Sequence, residues 1–473
     1  MTTGTSFWDA DVWSLVLTLA ILLGAMMLAN TLRRTIKPLR RMMIPGSVIG
    51  GFIVLAVSFI YKQITGNPLV SVSTLEILTY HGLGLGFAAM ALRPVRKVKA
   101  GGGAVGFNAG CTVVSGYLLQ GFVGLVITVG LYFIIGGFPA AGLLLPMGYG
   151  QGPGQAYNWG HNYETIDYGS GLFANGTSFG LAIAAAGFIA ASVGGIIYLN
   201  VMRRRGAFSG RTGDDYKEEY RIETFTGSNE VPLSESLDKL TIQLALVLIS
   251  YAVAYLFMEG SDLIIQTGVL GDFGYNTVRS LIWGFNFLFG TVFALLVKRF
   301  MNFGRMKGFI KREYANDFML SRISGFMFDM MVVASIAAIR LEAFAESEFV
   351  VPLLCICVIG AAATYLYLAF VTKKVFADYR DEAFLALYGM MTGTASTGVI
   401  LLREADPKFV TPASDDLVYH QPWAIVFGFP MLLLLGYVAR SLTWTFITLG
   451  LITLLFAGME LIIFRKYIFK KKK

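Results

Sequence analysis

The sequence has little charge for its length. Only 14% of its 473 residues are Asp, Glu, Lys or Arg, whereas a soluble domain usually has about 25%. Hydrophobic residues make up 55% of the chain, and they are arranged in long runs. This composition is typical of a protein whose surroundings are lipid, and it excludes an ordinary water-soluble domain.

Cysteine is also scarce, which excludes a disulfide framework. The three cysteines, Cys111, Cys355 and Cys357, all lie inside apolar runs. Residues two apart on a helix project to different sides, so Cys355 and Cys357 do not form a natural metal-binding pair. We interpret all three as small buried hydrophobic residues.

Eleven apolar segments approach or exceed the length of about 20 residues that an α-helix needs to cross the hydrocarbon layer. The predicted helices lie at about 12–32, 44–61, 76–92, 108–136, 174–201, 240–258, 278–297, 319–340, 350–371, 422–439 and 442–464. The sequence therefore predicts an all-α polytopic membrane protein.

Lys and Arg are concentrated after every second predicted helix. Of the 38 Lys and Arg residues, only Lys62, Arg279, Arg340 and Arg440 map on or near the opposite side. Because basic loops stay on the cytoplasmic side, this pattern predicts an N-terminus outside and a C-terminus inside, in the cell (cytoplasmic) membrane. The net charge of +8 is thus a topology signal, and it does not indicate a nucleic-acid partner.

Two apolar segments are interrupted by glycine and polar residues, at about 138–165 and 383–405. They are typical of re-entrant hairpins, in which two half-length helices meet at an unwound tip. Gly148 and Gly389 are 241 residues apart, so the two hairpins occupy matching places in the chain. We predict two inverted repeats of five transmembrane helices, each with a re-entrant hairpin, plus an extra C-terminal helix. Simple interhelical loops are the alternative.

Interrupted helices at corresponding positions indicate where a transporter binds its solute. Helix N-termini suit a carboxylate, and unwound carbonyl groups suit Na⁺. The predicted substrate-binding residues are Gly150, Gln151, Gly152, Gln155, Asn158, Thr394, Ser396, Thr397 and Arg340. The predicted sodium ligands are Gly148, Thr392, Gly393 and Asp329. Any of these hydroxyl groups can instead bond within its own helix.

Asp329 and Arg340 are ionisable residues associated with the eighth predicted helix. An ionisable group at membrane depth indicates a functional site. Asp329 either binds the coupling cation, takes a proton or pairs with another buried group. Arg340 follows eleven residues later, on the same face of a continuous helix, and either attracts an anion or extends to the membrane surface.

The sequence also carries phrases that resemble a known family. They are Ile-Pro-Gly-Ser-Val-Ile-Gly-Gly at 44–51, Gly-Leu-Gly-Leu-Gly-Phe-Ala-Ala-Met-Ala-Leu at 82–92, and the two interrupted segments. Over roughly residues 10–440, their order is similar to that of the glutamate:sodium symporter family. The resemblance implies an elevator transporter, usually a homodimer, in which a core carrying both hairpins moves past a scaffold. It also implies that helices three to five and eight to ten form the core.

The resemblance divides the chain into segments with distinct roles. The scaffold helices 1–2 lie in residues 1–75 and the scaffold helices 6–7 in residues 240–300. The first half of the core, with hairpin 138–165, covers residues 76–202, and the second half, with hairpin 383–405, covers residues 301–440. Residues 203–239 form a cytoplasmic linker, and residues 441–473 form the extra helix and a basic tail. The linker is interpreted as a solvated connection, with a regulatory role as the alternative.

Both tips depart from the family's usual phrases. The family's first tip reads Gly-Gly-His-Gly-Thr-Gly, whereas 148–154 reads Gly-Tyr-Gly-Gln-Gly-Pro-Gly here. The second tip usually reads Gly-Leu-Gly-Ala-Thr-Pro, whereas 392–397 reads Thr-Gly-Thr-Ala-Ser-Thr. The resemblance therefore favours the fold and transport more strongly than it favours glutamate as the substrate.

The leading hypothesis is a sodium-coupled secondary active transporter for glutamate or a similar small amino-acid or carboxylate solute. A sodium-coupled carrier of citrate, malate or similar 2-hydroxycarboxylates is the alternative within transport. An ion channel or a membrane-embedded enzyme is the alternative from another class. The sequence lacks paired intramembrane aspartates, a zinc motif and a nucleophile with a nearby base, which disfavours an enzyme.

Overall fold

The computed structural model describes residues 6–94, 102–205, 238–310, 312–407 and 409–468. Within these residues the chain forms twenty α-helices and no β-strand. Eleven of these helices are long and apolar enough to span a bilayer, and each overlaps a predicted helix. The prediction of an all-α polytopic membrane protein is therefore confirmed. Most of the predicted linker, at 206–237, lies outside the described residues.

The long helices are joined by short ones. The helices are α1 (Ala10–Thr35), α2 (Lys37–Arg41), α3 (Gly46–Thr65), α4 (Val72–Leu92), α5 (Gly102–Ile135), α6 (Leu144–Tyr149), α7 (Pro153–Thr165), α8 (Gly176–Arg204), α9 (Lys239–Gln266), α10 (Gly271–Phe273), α11 (Arg279–Gly284), α12 (Asn286–Met306), α13 (Asp317–Ala337), α14 (Ser347–Val375), α15 (Arg380–Thr392), α16 (Ala395–Ala405), α17 (Ala413–Tyr419), α18 (Gln421–Val438), α19 (Leu442–Ile463) and α20 (Arg465–Ile468). Short 3-10 segments occupy Pro139–Leu143, Leu341–Ala345 and Ala377–Tyr379.

Local sequence explains several helix ends. The side chains of Asp238, Asn316 and Ser441 accept hydrogen bonds from backbone N–H groups in the first turns of α9, α13 and α19. These residue types satisfy N–H groups that the helix itself leaves free. Helix α3 ends at Gly66, whose φ of 76° places it in the left-handed region that glycine adopts at low cost.

Several predicted helices have different bounds in the structure: the sixth, for example, ends at Gln266 instead of about residue 258. The seventh begins at Asn286 instead of about residue 278, because the preceding chain forms α11 and is interrupted at Phe285. The eighth ends at Ala337 instead of about residue 340. Arg340 therefore follows the helix in extended backbone, and it does not share a continuous helix face with Asp329 as the spacing predicted.

The hydrophobic packing separates the helices into two groups. The first helix group consists of α1, α3, α4, α9, α12 and α13. The second helix group consists of α5 to α8 and α14 to α19. Each group draws helices from both halves of the chain. Helices α7 and α8 provide much of the contact between the groups, since Tyr157, Leu181 and Phe188 pack into the apolar cluster of the first group.

Helices α4 and α13 form the most extensive helix contact of the first helix group. The resemblance implied that both belong to the core, and the division into core and scaffold stays a prediction. Glycine allows the close contact between α4 and α13. A methyl group at Gly82 would lie 2.9 Å from Cβ of Met331, and one at Gly86 would lie 2.5 Å from the ring of Phe328. Small residues permit such close helix packing in membranes.

The extra C-terminal helix, α19, packs against α5 and α18 in the second helix group. Its Glu460 is an acidic residue in an otherwise apolar span. The Tyr367 hydroxyl of α14 donates to Glu460 Oε1 at 2.7 Å, and the Ser115 hydroxyl of α5 donates to the same oxygen at 2.5 Å. Partners of this kind offset the cost of a carboxylate at membrane depth. These bonds join α19 to the two helices that precede the interrupted segments.

Candidate functional site

Each interrupted segment folds as two short helices joined by a turn. In the first, α6 and α7 are joined at 150–152, and Gly152 has a φ of 84° that favours glycine. Pro153 then begins α7, where a missing N–H costs nothing. In the second, α15 and α16 are joined at Gly393 and Thr394. We call the residues 150–152 and 393–394 the paired turns.

The paired turns lie against each other. A methyl group at Gly152 would lie 3.6 Å from Cγ2 of Thr394 and 3.9 Å from the Gly393 carbonyl oxygen. Two residues of α5 bond to the chain at these turns. The Tyr117 hydroxyl donates to the Gly150 carbonyl at 3.0 Å, and Gln120 Nε2 donates to the Met391 carbonyl at 2.9 Å. The structure thus brings together the two tips that the sequence placed 241 residues apart.

Helix α8 supports the second turn through a glycine. A methyl group at Gly187 would lie 2.2 Å from the Thr392 carbonyl oxygen, so only glycine permits this approach. Gly148, on α6, likewise packs against Ile183 of α8, where a methyl group would lie 2.6 Å from Cγ2. Two of the predicted sodium ligands, Thr392 and Gly148, are therefore in tight backbone contact with α8.

The hydroxyl groups at the second turn have different surroundings. The Thr392 hydroxyl donates to the Tyr388 carbonyl of its own helix at 2.7 Å, which is the structural alternative that the sequence left open. Thr394 and Thr397 share a hydrogen bond of 3.3 Å between their hydroxyl oxygens. Thr394 is partly exposed and Ser396 is exposed. Of these four residues, Thr394 and Ser396 are therefore the ones that a solute can reach.

The N-termini of two helices lie at the paired turns, beside Thr394 and Ser396. Helix α7 begins next to the first turn and α16 next to the second, and they are 13 and 11 residues long. The first turn of a helix leaves N–H groups free and carries partial positive charge, which stabilises a carboxylate. Gln151, which is partly exposed, adds a side-chain amide at the same place.

The amides of Gln155 and Asn158 lie farther along α7 and contact the end of α11. Asn158 Nδ2 donates to the Gly284 carbonyl at 2.9 Å, and Gln155 Nε2 does so at 3.4 Å. Gly284 is the last residue of α11, at the break before α12, where helix carbonyls lack partners. Gln155 Oε1 and Asn158 Oδ1 are buried without a hydrogen-bond partner in the part of the chain that the structure describes.

Two further residues with buried polar groups lie on the same face of α7 and were not predicted from the sequence. Trp159 and Asn162 follow Gln155 and Asn158 at helical spacing, and both pack near Gly284. Within the described residues, Trp159 Nε1 and Asn162 Nδ2 also lack partners. The spacing of 155, 158, 159 and 162 indicates one helix face, so the pattern was present in the sequence. Buried groups of this kind bind water or a ligand.

Arg340 is held by acidic residues at the end of α7. Its guanidinium donates to both carboxylate oxygens of Glu164, at 2.7 and 3.2 Å, and lies 3.7 Å from Glu76. Burial acts to raise the pKa of Glu164, but hydrogen bonds from Arg340 and Thr177 outweigh it and lower the pKa below its usual value. Arg340 is thus an ion-pair partner between the two helix groups.

Metal-ligating side chains do not cluster in the described ranges: no group of three or more His, Cys, Asp or Glu side chains could hold a metal ion there. A cation at the paired turns would therefore depend on carbonyl, amide and hydroxyl oxygens, which suit Na⁺. The fourth predicted sodium ligand, Asp329, is exposed on α13 and lies beside Ser47 of α3.

Neither a protein-family model nor a curated protein matches this chain. The likeness to the glutamate:sodium symporter family therefore rests on the sequence phrases alone. One of those phrases, at 82–92, has a structural role here, because its glycines allow α4 to pack against α13.

The position of Asp329 leads to a testable expectation. If uptake depends on Na⁺, as the sequence predicts, we expect Asp329→Asn to leave this dependence unchanged, because the Asp329 side chain is exposed on α13 beside Ser47 of α3. The measurement is the Na⁺ titration of solute uptake into proteoliposomes, with Ser47→Ala as the companion variant. A weaker apparent affinity for Na⁺ in Asp329→Asn alone would instead assign this carboxylate to the coupling site.

Proposed function

We propose that the protein is a sodium-coupled secondary active transporter of a small amino-acid or carboxylate solute such as glutamate. The supporting observation is the meeting of two helix N-termini at the paired turns, beside Thr394 and the exposed Ser396. Partial positive charge at the turns attracts a carboxylate, and nearby carbonyl oxygens suit Na⁺. A fixed pore is disfavoured, because the turns are in close contact with each other.

The proposal includes two inverted repeats with re-entrant hairpins. In the first half of the chain, α1, α3 and α4 of the first helix group precede α5 and the pair α6 and α7 of the second group. In the second half, α9, α12 and α13 precede α14 and the pair α15 and α16. Ion pairs support this correspondence. Arg93, after α4, bonds to Asp317 at the start of α13 at 2.7 Å, and Arg340, after α13, lies 3.7 Å from Glu76 near the start of α4.

The side chains around the turns favour an amino acid over a citrate-like or malate-like solute. Gln155 Oε1 and Asn158 Oδ1 are acceptors that an ammonium group would satisfy. A di- or tricarboxylate would instead require free positive side chains. Arg340, the predicted anion-binding residue, is already bonded to Glu164. The 2-hydroxycarboxylate carrier therefore remains the second candidate.

The two helix groups suggest how the solute would cross. In an elevator mechanism the second helix group, with both pairs of short helices, would move past the first group in the cytoplasmic membrane. The first group would then hold a homodimer, as the family resemblance implies. This division assigns α4 and α13 to the stationary part.

The direct test is uptake by the full-length protein in proteoliposomes with an imposed Na⁺ gradient. The solutes are labelled L-glutamate, L-glutamine, L-aspartate, citrate and L-malate. We expect concentrative uptake of an amino acid that disappears when the Na⁺ gradient is removed. Uptake of citrate or malate alone would favour the second candidate. Downhill flux of all five without concentration would contradict secondary active transport.

The accessible hydroxyl groups give a second prediction. If Thr394 and Ser396 contact the solute, Thr394→Val and Ser396→Ala should each raise the KM for uptake by about tenfold, the cost of a lost hydrogen bond to a charged group. The control is Thr453→Val on α19, whose hydroxyl bonds only to the Leu449 carbonyl of its own helix. An unchanged KM in both test variants would remove the second turn from the binding site.

A further inference from the structure

Asp416 is a fully buried acidic residue at the base of the second helix pair. It lies in α17, the short helix that follows α16, and its exposed fraction is 0%. Helix α17 packs closely against α5. A methyl group at Gly106 would lie 2.6 Å from the Tyr419 carbonyl oxygen, and one at Gly110 would lie 2.9 Å from the His420 carbonyl oxygen. This contact covers one side of α17, whereas Asp415 and Val418 on its other side are exposed.

The Asp416 carboxyl connects the two ends of the helix pair. The Tyr379 hydroxyl donates to Asp416 Oδ2 at 2.9 Å, and Tyr379 is the residue immediately before α15. The bond therefore joins the chain that enters α15 to the chain that leaves α16. Asp416 Oδ1 is buried and has no hydrogen-bond partner among the residues described. A buried ionised carboxylate with an unpartnered oxygen is costly, whereas a protonated carboxyl costs much less.

The groups that face this carboxyl favour its protonated form. Burial, with a smaller contribution from the neighbouring Asp415, raises the pKa of Asp416 to about 7, although the Tyr379 hydrogen bond acts in the opposite direction. The negative charges of Asp378 and Asp415 also raise the pKa of Tyr379. His420, one turn after Asp416, has its pKa lowered by burial to about 4, so it is neutral near pH 7 and does not supply a counter-charge.

We propose that Asp416 is a proton-binding site that keeps the base of the second helix pair closed, and that it adjusts the protein to the pH on the cytoplasmic side. The predicted topology places this base on that side. With its proton bound, Asp416 fits between α5, α15 and α16. When the proton leaves, the buried charge favours movement of α17 towards water, which separates Tyr379 from Asp416 and loosens both ends of the pair.

The first test is the thermal stability of the purified full-length protein between pH 5.5 and 8.5. It does not depend on the proposed function, because no solute is present. The pKa of Asp416 is raised in the folded protein above its usual 3.8, so the stabilisation is present at low pH and is lost as pH rises through about 7. We expect the Tm of the wild type to fall by about 5 °C over this range.

Two variants separate Asp416 from its neighbour. Asp416→Asn keeps the shape of the protonated carboxyl but cannot ionise, so its Tm should vary with pH by less than half as much as that of the wild type. Asp415→Asn is the matched control, since Asp415 is exposed one position away. It should retain most of the wild-type fall in Tm. The same fall in Asp416→Asn as in the wild type would overturn the proposal.

A third variant covers the case in which Asp416→Asn does not fold. Because the Tyr379 hydroxyl lowers the pKa of Asp416, Tyr379→Phe should move the midpoint of the pH dependence to higher pH. An unchanged midpoint would count against Asp416 as the proton site. Hydrogen exchange of α15 and α16 in the wild type, corrected for its intrinsic pH dependence, should be faster at pH 8.5 than at pH 6. Equal corrected rates would show that the helix pair does not respond.

Discussion

Gly187→Ala is expected to reduce uptake by about tenfold or more, because its methyl group has no space. A methyl group there would lie 2.2 Å from the Thr392 carbonyl oxygen, which is backbone and not a movable side chain. Forcing in one methyl group usually costs about 1–3 kcal/mol. Since Thr392 precedes the second turn, the substitution would displace this turn from the first. The measurement is initial uptake rate per folded protein in proteoliposomes.

The matched control is Gly130→Ala on α5, another glycine in a membrane-spanning helix. A methyl group at Gly130 would meet nothing within 4 Å. We expect this variant to keep both wild-type uptake and wild-type Tm. If Gly187→Ala transports as well as Gly130→Ala does, the contact between α8 and the second turn is unimportant for transport.

Arg340→Ala is expected to destabilise the protein by about 2 kcal/mol, because it leaves Glu164 charged and half-buried without its main partner. The estimate is below that for a fully buried pair, since the Arg340 and Glu164 side chains are 33% and 20% exposed. The measurement is thermal unfolding at neutral pH. Glu164→Gln should have a similar effect, and the double variant should cost less than the sum of the two.

An exposed ion pair on the same side of the protein provides the control. Lys62 and Glu342 are 2.5 Å apart, but their side chains are 47% and 61% exposed. Such pairs contribute about 0–1 kcal/mol, so Lys62→Ala should have little effect on stability. If Arg340→Ala is no more destabilising than Lys62→Ala, Arg340 is free to serve the anion-binding role that the sequence suggested.

The positions of the eleven long helices could be predicted, because a run of about 20 apolar residues has few other structures available in lipid. The end of α13 could not be predicted. The residues from Ile336 to Ile339 are all apolar, so the sequence gives no stop signal before Arg340. The backbone leaves the helix where Ser178 and Glu164 accommodate Arg340, and these contacts span 162 and 176 residues.

The two turns could be located from the sequence but their contacts could not, and their role as a binding site stays a prediction. Glycine and hydroxyl residues inside apolar segments marked both turns, and the structure places the turns in contact. The partner of Gln155 and Asn158 could not be predicted, because it is the Gly284 backbone at a break in a distant segment. The packing of α4 and α13 with α1, α3, α9 and α12 could not be predicted either, since hydropathy shows that a helix is buried but not which helix covers it.

The chain passes between the two helix groups three times: from α4 to α5, from α8 to α9, and from α13 to α14. This has a consequence for biosynthesis. Helices α1, α3 and α4 leave the ribosome first, but α9, α12 and α13 follow only after α5 to α8 have been made. Gly82 and Gly86 therefore cannot contact Met331 and Phe328 until α13 has been made. Until the second half of the chain is made, the surface of α4 that α13 covers lies in the membrane without its partner.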